Sequence, residues 1–438
     1  MSTNTKTGFL ERRFQLKAHG TSVKTELAAG FTTFVTMAYI LGTIPNILGG
    51  TGRDRAVVLA AMVMVCFVST ALMSLLTNLP FAMAPGLSSC AVMASIVTND
   101  GYSAEIAAGI AFWVAVLLVV VSYAGLRDFV VRAIPANLKF AITAGVGLNI
   151  ASVGLRNGGI IVATASNKLA FGDLTAPIAI LTIIGFVLIL ITKALKIPGY
   201  LIISILITTV IGIPMGLTAV PETIISLPGN PFGTFLRIDF LGSLKFAFFP
   251  FILTLFMQDF FSTLGTSLGV GGKAGCLDED ANLPQMGRVF KVDSIATILG
   301  AAFGLPGMGT YLESSAGVEA GGRTGLSSLF SSFLLMVSLL FTPIALMIPN
   351  AATAPALIII GIGMLGSMGK ITGSDFADTF PAFVCVAMTV FAGGIANGIC
   401  LAIPVYVILK ICSGKIKEIH VASYVMTALS LVYLFSSL

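Results

Sequence analysis

The chain has 438 residues, of which 56% are hydrophobic and only 10% charged, with a net charge of +5 and a mean hydropathy of +1.01. No water-soluble domain of this length carries such a balance, so water is not the solvent of most of its surface. The small positive charge requires no nucleic-acid partner, and two histidines, His19 and His420, give no basis for histidine chemistry or a metal site.

The first two dozen residues are polar and basic (Lys6, Arg12, Arg13, Lys17, Lys24) and contain no apolar central stretch. No cleavable signal peptide is expected, and the first true span directs insertion. A helix needs about 20 mostly apolar residues to cross a hydrocarbon layer about 30 Å thick. Residues 57–76, 106–124, 178–195 and 327–348 meet that need. Their apolar runs are continuous, without period-two alternation, which predicts helices and excludes a barrel. In all, about fourteen hydrophobic segments are read. Three of them, 81–97, 305–318 and 355–368, are short or rich in Gly and Pro and are expected to be broken helices.

Basic residues mark one face. The N-terminal cluster, Arg127/Arg132/Lys139, Lys193/Lys196, Lys273/Arg288/Lys291 and Lys410/Lys415/Lys417 fall together on what is expected to be the cytoplasmic side, with the N-terminus. The stretch 221–245 is the longest polar connection on the opposite face and divides the chain near its middle. The segment 421–438 is apolar but short, and either spans the membrane or lies on it.

The two halves echo each other. Leu79-Pro80 opens PFAMAPGLSSCAVM and Leu305-Pro306 opens PGMGTYLESSAG, and each reaches a serine pair at the same offset, Ser88-Ser89 and Ser314-Ser315. Ile134-Pro135 is matched by Ile348-Pro349, and Asp173 before Pro177 by Asp375 and Asp378 before Pro381. Seven spans per unit, an odd number, would place the halves in opposite orientation as an inverted repeat.

Six cysteines (Cys66, Cys90, Cys276, Cys385, Cys400, Cys412) show no CxxC spacing, so neither disulfides nor a metal site is expected. No cofactor motif is found. GVGGKAG at 269–275 lacks the ending of a nucleotide-binding loop, and no nucleophile, base and orienting group occur together. An enzyme is therefore not expected.

Acidic residues inside the apolar runs require a reason, because a buried carboxylate costs several kcal/mol unless it is protonated, paired or wetted. Asp259 lies about halfway through FPFILTLFMQDFFSTLGTSLGV, and Glu313 lies in LPGMGTYLESSAGVEAGGR, both without a cation at helical spacing. Such surroundings suit a group that binds and releases a proton near neutral pH. Together the two acids could grip a planar heterocycle through its N–H groups; the plainer alternative is that one caps a half-helix or bonds neighbouring backbone. Glu26, Asp293 and Glu319 lie nearer segment ends, where solvated or capping roles are favoured. At Pro85-Gly86 and Gly307–Gly309 the lost helix frees backbone groups, tolerated at membrane depth only where they line a cavity or are covered by protein. The half-helices beginning at about 87–90 and 312–315 would aim free amides at a ligand. Ser88, Ser89, Ser314 and Ser315 are placed to cap or to bind, and Tyr311 to stack on a flat ring or to sit at the interface.

The sequence resembles the AzgA-like adenine/guanine/hypoxanthine permeases, within the nucleobase-ascorbate transporter superfamily that includes the xanthine and uracil permeases. The likeness covers essentially the whole chain and is carried by GFTTFVTMAYIL at 30–41, MAPG at 83–86, IPANLKFAITAGVGL at 134–148, DFFSTLGTSLGVGGKAGCLDED at 259–280 and TYLESSAGVEAGGRTGL at 310–326. It implies an all-α polytopic protein with 14 transmembrane segments in a 7+7 inverted repeat, two broken helices, and core and gate domains. On that plan residues 1–219 form the first repeat (core about 20–126, gate about 127–219) and 240–438 the second (core about 240–345, gate about 346–438). The resemblance further implies multi-pass residence in the inner or plasma membrane, proton symport of a nucleobase and a homodimer. Its substrate site would comprise Asp259, Glu313, Ser89, Cys90, Tyr311, Leu312, Ser262 and Thr263, with Asp259 and Glu313 also taking the coupling proton. Two positions depart from the purine-permease pattern. Cys90 stands where those proteins have Asn, and Ser262 where they have Asp; the serine pair and Tyr311 look more like the uracil and xanthine branch. A purine base, adenine, guanine or hypoxanthine, is the leading expectation; the alternatives are another small planar nitrogen-rich solute (uracil, xanthine or urate) or an uncoupled facilitator or channel.

Overall fold

A computed structural model describes residues 8–98, 101–125, 135–163, 169–197, 200–245, 248–278, 282–371, 373, 375–392 and 395–436. In chain order it contains α1 (Phe9–Phe14), α2 (Val23–Met37), α3 (Ile40–Gly49), α4 (Arg55–Thr77), β1 (Met83–Pro85), α5 (Leu87–Thr98), α6 (Ala104–Tyr123) and α7 (Ala136–Asn157). A small hairpin, β2 (Ile161–Ala163) and β3 (Leu169–Phe171), precedes α8 (Pro177–Ala194) and α9 (Tyr200–Ile211). The second half comprises α10 (Phe249–Ala274), α11 (Met286–Ala302), β4 (Met308–Thr310), α12 (Ser314–Glu319), α13 (Gly325–Ser338), α14 (Thr342–Met347), α15 (Asn350–Leu365), α16 (Phe376–Phe391), α17 (Ile395–Cys412) and α18 (Val421–Ser436).

Six helical stretches among the described residues are long and apolar enough to cross a membrane: Val23–Gly49, Arg55–Thr77, Ala104–Tyr123, Pro177–Ala194, Gly325–Met347 and Asn350–Lys370. Shorter apolar helices accompany them. The chain is a multi-pass, mostly helical membrane protein.

Helices from both halves mix in two groups. In one, α2 packs on α12 and α13, α4 on α11 and α13, and α6 on α10 and α11. In the other, α7 packs on α15 and α16, α8 on α9 and α15, and α17 lies against α16 and α18. Helix α10 belongs to the first group yet also touches α7 and α17 of the second. The connection 221–245 is irregular apart from two short 3-10 turns. It is pinned to the first group where Leu236 N–H donates to the Ala302 carbonyl (2.7 Å) and Trp113 Nε1 to that of Phe240 (3.0 Å).

Two of the three expected broken helices are broken. Both follow a Leu-Pro pair, which favours extended backbone and removes a donor, and both pass through a three-residue strand before a new helix starts. The strands cross antiparallel, with Met83 opposite Thr310, Ala84 opposite Gly309 and Pro85 opposite Met308. Their outward backbone groups are satisfied by hydroxyls of the preceding helices: Thr70 of α4 accepts from Met83 N–H (2.9 Å), and Thr297 of α11 accepts from Met308 N–H (3.1 Å). The two segments thus share one order of helix, hydroxyl, strand and half-helix.

The third segment differs from expectation. Residues 355–368 are not a break; α15 runs through Pro355 to Leu365 and tightens into a 3-10 turn at Gly366–Lys370. Pro355 lies inside the helix and deprives the Ala351 carbonyl of its helical donor, but the Thr182 hydroxyl of α8 donates to that carbonyl (3.3 Å), and the glycines serve close packing instead. A methyl on Gly361 would lie 2.3 Å from the Gly147 carbonyl of α7, so the two helices touch backbone to backbone. The C-terminal segment forms α18, which packs on α17.

Candidate functional site

The strand crossing organises the polar interior. Gly86 N–H donates to the Gly307 carbonyl (3.2 Å), Tyr311 N–H to Ala82 (2.9 Å), and the Ser314 hydroxyl accepts from Ala82 N–H (3.0 Å). Ser314 is thus spent on holding the crossing together.

Asp259 reaches this crossing from α10. It is buried, and its Oδ2 accepts from the Thr297 hydroxyl at 3.1 Å, the same hydroxyl that receives Met308 N–H. Its carboxyl lies flat on Gly307, where a methyl would stand 2.5 Å from the carboxyl carbon. Only glycine leaves room there. One helical turn on, Thr263 donates to Asp293 Oδ1 (3.1 Å), and Thr266 and Ser267 bond the hydroxyl of Thr310.

Glu313 approaches from the far end of β4, as the residue that precedes α12. Its Oε1 accepts from the Tyr39 hydroxyl at 2.6 Å, and its carbonyl accepts from Thr36 (3.4 Å). Tyr39 stands at the turn between α2 and α3, where the first span is interrupted. Tyr311, two residues before the acid, donates its hydroxyl to the Pro85 carbonyl (2.7 Å) and is buried.

The two acids therefore flank one strand crossing, each held by a neutral hydroxyl. No hydrogen bond joins their carboxylates, and neither forms an ion pair with Lys or Arg, among the described residues. Of the other expected site residues, Ser89 is buried at the start of α5, where its hydroxyl donates to Gln258 Oε1 (3.3 Å). Cys90 is fully buried, Thr263 is engaged with Asp293, and Ser262 and Leu312 are half-buried, the latter against Gly269. Ser88 and Ser315 are likewise half-buried.

Of the three acids expected in solvated or capping roles, two differ in part. Asp293 is fully buried near the middle of α11, because that helix starts at Met286 and carries the preceding charges within its first two turns. Glu26 is also fully buried; it does cap, but its target is α13, whose Arg323, Thr324 and Ser327 N–H groups it accepts at 2.8, 3.4 and 3.2 Å. Glu319 is exposed, as expected, and pairs with Lys273. Sequence reasoning missed Tyr39, Thr297 and Gln258. Gln258 alone carried a signal, an amide inside an apolar run beside Asp259.

A cavity of about 680 Å³ lies away from the acids, lined by Asn46, Arg55, Leu217, Val220, Ile348 and Asn350 among others. It opens between the ends of α3 and α4 and the start of α15, where Arg55 donates to the Leu346 carbonyl (3.0 Å) and Asn46 to that of Ile348 (3.2 Å).

The profile described as Permease family (Xan_ur_permease) matches residues 24–401. The adenine permease AdeP of Escherichia coli is 34% identical over 419 residues, covering 94% of this chain and 93% of its own. The guanine/hypoxanthine permease PbuO of Bacillus subtilis is 35% identical over 430 residues, covering 96% and 99%. Among solved structures, the transmembrane domain of the cyanobacterial bicarbonate transporter BicA shares the fold, with a TM-score of 0.61 at 15% identity over 89% of this chain and 97% of its own. The relatives are named permeases, which makes this chain a transporter and not an enzyme. From residue 24 to residue 401, then, the chain is a member of the permease family Xan_ur_permease.

Proposed function

We propose that this permease carries a purine base across the cell membrane together with a proton, by alternating access of a site at the strand crossing. One observation carries the reading: two buried carboxylates, Asp259 and Glu313, flank the crossing and are held by hydroxyls rather than by cations. Burying such groups costs several kcal/mol, and the cost is offset when a proton or a ligand N–H occupies them. A purine offers N–H donors along its edge and a flat face. The half-helices α5 and α12 begin beside the crossing and contribute positive dipole ends. The names of AdeP and PbuO support a purine over another planar solute.

In this reading the paired strands and half-helices mark a 7+7 inverted repeat, with repeats 1–219 and 240–438. The group of α2–α6 and α10–α14 is the core, and the group of α7–α9 and α15–α18 the gate. Helix α10 carries Asp259 and touches both, so a movement of one group against the other changes access to the acid. Asp259 or Glu313 takes the coupling proton. The protein works as a homodimer in the inner or plasma membrane with its N-terminus in the cytoplasm, and needs no cofactor.

Uptake into proteoliposomes tests this directly. Labelled hypoxanthine is expected to accumulate when the outside is acidic, to stop accumulating when a protonophore collapses the gradient, and to be competed by adenine or guanine more strongly than by uracil or urate. Accumulation indifferent to the proton gradient would refute symport, and competition led by uracil would refute the purine assignment.

A further inference from the structure

We propose that Gln258 selects among purines, and that it favours a base with a carbonyl, not an amine, at the position it faces: a 6-oxopurine such as hypoxanthine or guanine over adenine. The proposal rests on the substrate reading above and sharpens it, since the named relatives include both adenine and guanine/hypoxanthine permeases.

Gln258 precedes Asp259 on α10, so the two side chains leave the helix about 100° apart and reach the crossing from different sides. Asp259 lies on Gly307; Gln258 reaches Ser89, in the first turn of α5. Ser89 in turn packs against Gly86, whose N–H donates to the Gly307 carbonyl. The amide and the carboxylate thus border one backbone junction.

The chemistry of the amide then follows from its partner. Gln258 is 2% exposed, so its polar atoms have little water to fall back on. Its Oε1 is occupied by the Ser89 hydroxyl, and no other hydrogen bond of the side chain is found among the described residues. What remains to offer a ligand is the Nε2 amino group, a neutral donor. A ring carbonyl satisfies that donor. An exocyclic amine presents a second donor to it and leaves a buried N–H without an acceptor, an error that sites of this kind penalise more than a missing methylene. Ser89 is a positioning residue here: it holds the amide with its nitrogen turned toward the ligand.

The test is the ratio of dissociation constants for hypoxanthine and adenine, measured on the purified full-length protein. The wild type is expected to prefer hypoxanthine. Gln258→Met, close in shape, is expected to weaken hypoxanthine by about tenfold, the size of one neutral hydrogen bond, with adenine changed far less. Ser89→Ala leaves Gln258 in place but frees its amide to turn, and is expected to move the ratio toward adenine; it reads the same question should Gln258→Met fail to fold. A wild type that prefers adenine, or ratios unchanged in both variants, would overturn the proposal. Asp259→Asn and Glu313→Gln separate this failure from that of the parent reading: they are expected to weaken both bases alike, and only their retaining wild-type affinity would count against the site itself.

Discussion

Tyr39 and Glu313, 274 positions apart, meet through a 2.6 Å hydrogen bond from the tyrosine hydroxyl to the carboxylate. The bond ties the interruption of the first span to the half-helix α12 in the second half of the chain, and it engages one oxygen of the acid; on the proposed function the other is left to a ligand. Tyr39→Phe removes the donor without changing shape. Purine affinity is expected to fall by about tenfold or more, the range for hydrogen bonds to charged groups, while the purified protein stays monodisperse. Equilibrium binding checks it; unchanged affinity would assign the bond to packing alone.

Gly307 makes a second prediction of opposite type. In Gly307→Ala the new methyl meets the Asp259 carboxyl at 2.5 Å, so either the acid turns away or the strand shifts. Transport is expected to be lost and stability to drop by roughly 1–3 kcal/mol, as for overpacking elsewhere. Thermal unfolding together with uptake measures both.

Glu26 is a structural anchor. Its carboxylate receives three backbone N–H groups at the start of α13, and Glu26→Ala would leave them buried without an acceptor at a cost of roughly 3 kcal/mol or more. Glu26→Gln keeps one acceptor oxygen and is expected to lose less. The order of melting temperatures, wild type above Gln above Ala, is the observable.

An ionic cluster at the end of the second group gives a pH dependence with a defined sign. Lys415 pairs with Asp375, and Lys410 bridges Asp378 (2.9 Å) and Glu418 (2.6 Å). The Lys415 ammonium holds the Asp375 carboxyl below its ordinary value of 3.8, and Lys410 holds Glu418 below 4.5. Both carboxylates therefore bind protons more readily in the unfolded chain. Their contribution is complete above those ordinary values and is lost as pH falls through the lower folded ones. Lys415 is shifted up from 10.5 by the same partner, so its share persists below that pH and is lost in stronger alkali. The Lys415–Asp375 pair is partly exposed and modest, whereas the Lys410 ammonium is buried between its two partners. Asp375→Asn is expected to flatten the fall in melting temperature between neutral and acid pH while leaving purine binding unchanged.

Much of the frame was legible in the sequence because it rests on local chemistry. Leu79-Pro80 and Leu305-Pro306 favour extended backbone just beyond the ends of α4 and α11, and a short strand follows each pair. Asp259 and Glu313 stood out because a carboxylate in an apolar run is costly. Pro355 misled for the reason that Pro80 informed: a proline removes a donor, but here the Thr182 hydroxyl of another helix makes good the loss at the Ala351 carbonyl, which only packing decides. Asp293 misled because Arg288 and Lys291 mimic a segment end, whereas the helix begins before them. Tyr39 and Thr297 were silent since a hydroxyl inside an apolar segment costs little and is common. Their roles arise from partners far along the chain, and no local pattern encodes those.

The account turns on one ligand shared by two acids that do not bond each other. Hypoxanthine binding to purified wild type, Asp259→Asn and Glu313→Gln at matched pH addresses this most directly. Each single substitution is expected to weaken binding by about a hundredfold, with the double variant little worse than either one, because both acids hold the same molecule. Wild-type affinity in either variant would contradict it, and would move the substrate away from the strand crossing.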